Sequence, residues 1–133
     1  MKKIILPAVL LIAVVLFGFI QPNEDWKLAY SNNSLTVSYK IIPCDNNSTV
    51  LLQLKNLTNS ALTVSYVETI TLGNADGTIE TPNFPEKNLR LLPNQTLEGS
   101  CSTPNLQISE QKLGKKPGMT HIINVEILNV TIR

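Results

Sequence analysis

Leu62-Thr63-Val64-Ser65-Tyr66-Val67-Glu68-Thr69-Ile70-Thr71-Leu72 alternates apolar with hydroxylated side chains over most of its length. Leu62, Val64, Tyr66, Ile70 and Leu72 share one parity, opposed by Thr63, Ser65, Thr69 and Thr71. That period of two belongs to a β-strand with one buried face. Glu68 interrupts the apolar row. A carboxylate at this place lies beyond the edge of the core, follows a bulge that turns it outward, or is buried with a partner. The first two are the ordinary readings; the third would open the way to a ligand or cation site.

The same period runs outward in both directions. Leu35, Val37, Tyr39 and Ile41 alternate with Thr36, Ser38 and Lys40, which predicts a strand over Ser34 to Ile42. Val50, Leu52 and Leu54 alternate with Gln53 and Lys55, and Asn56 to Ser60 supplies the turn residues that end this second strand. Beyond Leu72, Gly73-Asn74-Ala75-Asp76-Gly77 reads as a turn. It echoes a calcium loop but lacks the regular acidic positions and the closing Glu. Pro82 and Pro85 demote the first half of Thr81 to Leu92 to loop or edge structure. The period resumes at Gln95, with Leu97, Gly99 and Cys101 on one face, so Cys101 is expected at the end of an inward row.

Thr120 to Arg133 predicts a last long strand. Ile123, Val125 and Ile127 share one parity and Leu128, Val130 and Ile132 the other, so the buried face is expected to switch between Ile127 and Leu128 through a bulge or a change of sheet. Helical spacing is absent after residue 22, and the β-branched and Thr content agrees. The expected fold class is therefore all-β: a two-sheet antiparallel sandwich of about seven strands with no helix in the domain itself.

Ahead of the strands, Met1-Lys2-Lys3 precedes an apolar run from Ile4 to Ile20. Two lysines followed by such a run form an export signal, expected to be cleaved. A retained membrane anchor is the rival reading, because the run reaches the lower limit for spanning a bilayer. Pro7 and the lack of an aromatic and basic belt after Ile20 count against it. The division is thus 1–20 as signal peptide or anchor and 21–133 as a single domain, working outside the cytoplasm: periplasmic, cell-surface or extracellular.

The chain has 11 basic and 10 acidic residues, and loss of Lys2 and Lys3 with the leader leaves nine against ten. Such a balance provides no electrostatic footprint for nucleic acid or an anionic membrane. Lys112, Lys115 and Lys116 form the only local basic cluster and read as a solvated loop around Gly114 and Gly118. Cys44 and Cys101 are the only cysteines, outside any C-x-x-C or metal-ligand spacing. In an oxidising compartment they read as one structural disulfide or as two free thiols.

The phrases Val50-Leu51-Leu52-Gln53-Leu54-Lys55-Asn56-Leu57-Thr58-Asn59 and Leu92-Pro93-Asn94-Gln95-Thr96-Leu97 resemble, respectively, a second strand with its exit turn and a strand-opening turn of the immunoglobulin-like and fibronectin type III-like modules of bacterial envelope proteins. Asn94 stands where those modules place Gly in that turn. The third-strand Trp of antibody domains is missing, since Trp26 precedes the first strand. The resemblance implies an immunoglobulin-like sandwich with Greek-key connections. If the strand ending at Cys101 lies antiparallel to the one starting near Thr49, both cysteines meet at one pole.

Catalysis lacks candidates: there is a single histidine, His121, and neither a G-x-S-x-G, an H-E-x-x-H nor a Gly-rich phosphate loop. His121 reads as a surface residue, and Trp26, Tyr30 and Phe84 as core or rim packing. N-x-S/T sequons begin at Asn32, Asn46, Asn47, Asn56, Asn94 and Asn129 and read as turn composition rather than glycan sites. The expected function is a non-catalytic binding or assembly module of the cell envelope, without cofactor or metal. Its partner would be another envelope or secreted protein, taken at a pole or at an exposed edge strand. A secreted chaperone or inhibitor-like accessory protein is the alternative.

Overall fold

A computed structural model describes residues 26–133, so the signal or anchor reading of residues 1–20 lies outside the described residues. Among the described residues nine strands form two antiparallel sheets: β1 (Lys27–Ser31), β2 (Leu35–Cys44), β3 (Asn47–Asn56), β4 (Leu62–Asn74), β5 (Ile79–Glu80), β6 (Lys87–Leu91), β7 (Thr96–Glu98), β8 (Gln107–Ser109) and β9 (Thr120–Ile132). The only helical elements among the described residues are single 3-10 turns at Pro104–Leu106 and Glu110–Leu113. None is long and apolar enough to cross a membrane.

Both sheets follow one plan. A long central strand pairs along its length with one long partner, and a broken series of short strands covers its other side. In the first sheet β3 is central, β2 is the long partner with β1 beyond it, and β7 and β8 share the far side of β3. In the second, β4 is central, β9 is the long partner, and β5 and β6 share the far side.

The inward rows of the two central strands build the core. Val50, Leu52 and Leu54 from β3 meet Val64, Tyr66, Ile70 and Leu72 from β4, with Leu35, Val37, Tyr39, Leu91, Leu106, Ile108, Val125 and Ile127 around them. Fully burying an aliphatic side chain of this kind contributes roughly 1.5–3 kcal/mol. The alternation read from β4 is thus the one that fills the sandwich.

The β2–β3 hairpin turns on two residues, Asp45 and Asn46, both with positive φ (49° and 64°). This geometry matches the strand twist and favours Asp and Asn. At the opposite pole Asn56 is buried and uses its whole carboxamide: Nδ2 donates to Ser60 O at 2.7 Å and Leu92 O at 2.9 Å, and Oδ1 accepts from Thr58 N at 2.9 Å and Thr58 Oγ1 at 2.8 Å. Asn94 takes the left-handed position (φ 56°) in the turn closed by the Gln95 N–H on Leu92 O, so Asn fills the place a Gly would take. Its N–H reaches Thr58 O. The exit turn of β3 and the entry turn of β7 are therefore packed on each other.

β9 departs from the expected single switch of face. It has two bulges, each adding one residue opposite β4. The first falls at Ile123, between the pairs Leu72–Ile122 and Thr71–Asn124; the second falls at Asn129 and Val130, between Val67–Leu128 and Ser65–Thr131. Asn129 has φ 53°. Thr120 and Ile122, then Val125 and Ile127, then Val130 and Ile132 turn to the interior, while Ile123 and Leu128 stay 50% and 43% exposed. Parity alone missed the first bulge and set the second a residue early.

Candidate functional site

Glu68 is fully buried on the inward face of β4, against both ordinary readings of the sequence. Its partner is Lys87. That lysine stands opposite Tyr66 at the start of β6, which gives it the same inward face, and its Nζ lies 2.9 Å from Glu68 Oε1. Lys87 Nζ also donates to Asn105 O at 3.2 Å, tying β6 to the first 3-10 turn. Glu68 Oε2 and the Tyr66 hydroxyl are buried without a protein hydrogen-bond partner. Burial pushes the Glu68 carboxyl above its ordinary value, partly opposed by Lys87 and Lys112. Burial, with the Glu68 charge, pushes the Tyr66 phenol well above the usual range.

A second buried carboxylate, Glu110, was not legible in the sequence. It opens the second 3-10 turn, and its Oε2 accepts from Ser48 N at 3.1 Å while Oε1 accepts from Thr120 Oγ1 at 2.9 Å. It thereby joins the start of β3 in one sheet to the start of β9 in the other. Cys44 and Cys101 form a disulfide at the same pole, with a Cα–Cα distance of 5.6 Å. The pairing of β7 with β3 carries the chain there, as the register argument required.

Cys101, however, is exposed in a turn and not at the end of an inward row. β7 ends at Glu98; Gly99 passes so close to neighbouring backbone that a Cβ would lie 2.3 Å from Leu106 O and 3.0 Å from Leu52 O, and the Thr103 N–H on Ser100 O then closes the turn that carries Cys101. A disulfide is consistent with an oxidising environment.

The remaining sequence candidates have local roles. His121 is exposed, its imidazole lying over Gly73. In the 73–77 turn Asp76 accepts from Thr78 N and Oγ1, bonds that hold its carboxyl below the usual range. Among the described residues no three His, Cys, Asp or Glu side chains gather as metal ligands. Lys112 donates to Pro104 O and Gln107 O, and Lys115 pairs with Glu80 at 2.6 Å, which places this loop at the surface but not free of contacts. Trp26 lies under the Lys40 ammonium, 4.7 Å from ring to nitrogen. Of the sequon asparagines, Asn46, Asn94 and Asn129 occupy positive-φ positions, and Asn32 accepts from the N–H groups of Ser34 and Leu35.

The sheet edges differ in how they are guarded. β1 covers only Thr36 to Tyr39 of β2, and the uncovered remainder carries Lys40 and Pro43. β7 and β8 are three residues each. β5 has two residues and lies beside Pro82 and Pro85, and β6 presents an inward lysine. Short strands, proline and inward charge all discourage pairing with another chain. β9 has thirteen residues, no proline and no lysine, and among the described residues no strand pairs with its far side. Exposed Ile123, Leu128 and Met119 lie on or next to it, and exposed Leu28 lies on β1, which packs against it.

Comparisons with protein-family models, with curated proteins and with solved structures find no match for this chain. Its geometry alone therefore speaks to function.

Proposed function

We propose that this chain is an exported, non-catalytic binding or assembly module of immunoglobulin-like type, which takes an extended segment of another envelope or secreted protein along β9. The observation that carries the reading is the contrast among edges: β9 is the one long strand edge among the described residues without proline, lysine or a strand hydrogen-bonded to its far side. In β-augmentation such an edge supplies main-chain hydrogen bonds to an added strand. The immunoglobulin-like part of the reading is supported by the two sheets and by the mutual packing of the β3 exit turn and the Leu92–Asn94 turn. The leader sequence and the disulfide support export to the periplasm, cell surface or medium.

Site-specific photo-crosslinking in the producing cell tests it. A photoreactive residue at Ile123 or Leu128 is expected to give a discrete adduct with another exported protein, while one at Lys55, exposed on β3, gives none. Adducts at Lys55 alone, or none at either β9 position, would refute the edge as the binding surface.

A further inference from the structure

The two bulges restrict what β9 can accept, and this inference rests on the edge reading above. Bulges increase local twist and interrupt the spacing of backbone groups, so an added strand follows only a regular stretch. Between the bulges that stretch is Asn124-Val125-Glu126-Ile127-Leu128, which pairs without a break with Thr71 back to Val67. Val125 and Ile127 point to the core; Glu126 and Leu128 point to solvent.

A strand laid beside this stretch would place residues opposite Val125 and Ile127 on the inner side of the sheet. There they extend the inward apolar row of Val125 and Ile127, so apolar side chains fit. The residue between them would lie on the outer side, opposite Glu126. Among the described residues Glu126 has no ion pair, and its one side-chain contact is a long 3.5 Å approach from Asn124 Nδ2. A basic residue is the complement to that carboxylate.

A second copy of this chain meets a different situation. Antiparallel pairing of two such segments centred on Glu126 sets one Glu126 against the other, and like charges directly opposite are unfavourable.

We infer that the occupant of the β9 edge is an extended segment of a different protein, in which a lysine or arginine flanked by apolar residues lies opposite Glu126. The flanking apolar side chains would continue the inner face beside Val125 and Ile127.

Two synthetic peptides test this on the purified full-length protein. Both alternate threonine and valine; one carries a central lysine and the other a central glutamate. Binding is followed by anisotropy of a fluorescent label. The lysine peptide is expected to bind about fivefold or more tightly than the glutamate peptide, with the preference lost or reversed in Glu126→Lys. Equal binding of the two peptides, or a preference that survives Glu126→Lys, would overturn the inference. So would a dimer in sedimentation that Leu128→Lys dissolves. If neither peptide binds while β9 positions still give crosslinked adducts, the partner chemistry is wrong and the edge reading stands. If the adducts fail as well, both fall.

Discussion

Glu68 and Glu110 are both buried carboxylates in one small core, yet they are held by different means. Glu68 is matched by a cation on a neighbouring edge strand and keeps one oxygen without a protein partner. Glu110 has no cation in salt-bridge range among the described residues; a backbone N–H and a threonine hydroxyl each take one of its oxygens. The first answers burial with charge, the second with hydrogen bonds. Glu68 also places an inward lysine on β6, which discourages pairing at that edge, whereas Glu110 joins the two sheets at the pole that the disulfide closes.

The largest effect expected in this comparison comes from the disulfide. It closes a loop with a sequence separation of 57, so replacing both cysteines with alanine is expected to cost about 4 kcal/mol in the chain-entropy picture. Denaturant unfolding measures it. In double-mutant cycles the loss should be coupled to Glu110→Ala at the same pole and additive with changes at Glu68. Equal coupling to both sites would erase the distinction between them.

Next is Lys87→Met, which leaves the Glu68 charge buried without its cation and is expected to cost about 3 kcal/mol at neutral pH. The deficit should shrink toward acid as Glu68 takes up a proton. A deficit that ignores pH would show that lost packing, not the stranded charge, is responsible. Glu110→Ala strands the Ser48 N–H and should cost about 2 kcal/mol, with Glu110→Gln closer to 1 kcal/mol because an amide oxygen still accepts. If Gln and Ala cost the same, the hydrogen bonds are not what holds that pole.

The smallest effect is the pH slope of the intact protein. Burial raises the Glu68 pKa in the folded state above the ordinary 4.5, so below that value both folded and unfolded chains are protonated there and its burial is least costly. Stability contributed by this group is lost as pH rises through the folded pKa. Thermal melts of Glu68→Gln, compared with the unmodified protein across that range, should lack this component.

The β4 alternation was legible because a strand with one buried face writes its period into adjacent residues. The identity of Lys87 as partner to Glu68 was not, since the pair forms only when β6 lies beside β4. Glu110 was hidden for a similar reason: it sits in a segment without period, and its donors come from the starts of β3 and β9. In β9, parity counting treated Ile123 as an inward residue because an apolar side chain at a bulge looks the same in sequence as one in a regular row. The cysteine pairing was legible through strand register, but the exposure of Cys101 was not, because the turn closed by Thr103 N–H on Ser100 O leaves no mark on the alternation that precedes it.

The pairing of β4 with β9 also sets an order of events. β2 and β3 are joined by a two-residue turn and can form as the chain emerges, whereas even the nearest pair between β4 and β9, Asn74 with Thr120, is separated by dozens of residues. Pairing over such a distance is slow compared with a hairpin. During synthesis β4 therefore waits with its aliphatic row partly uncovered, and the emerging chain passes through a sticky, half-assembled stage before its last strand arrives.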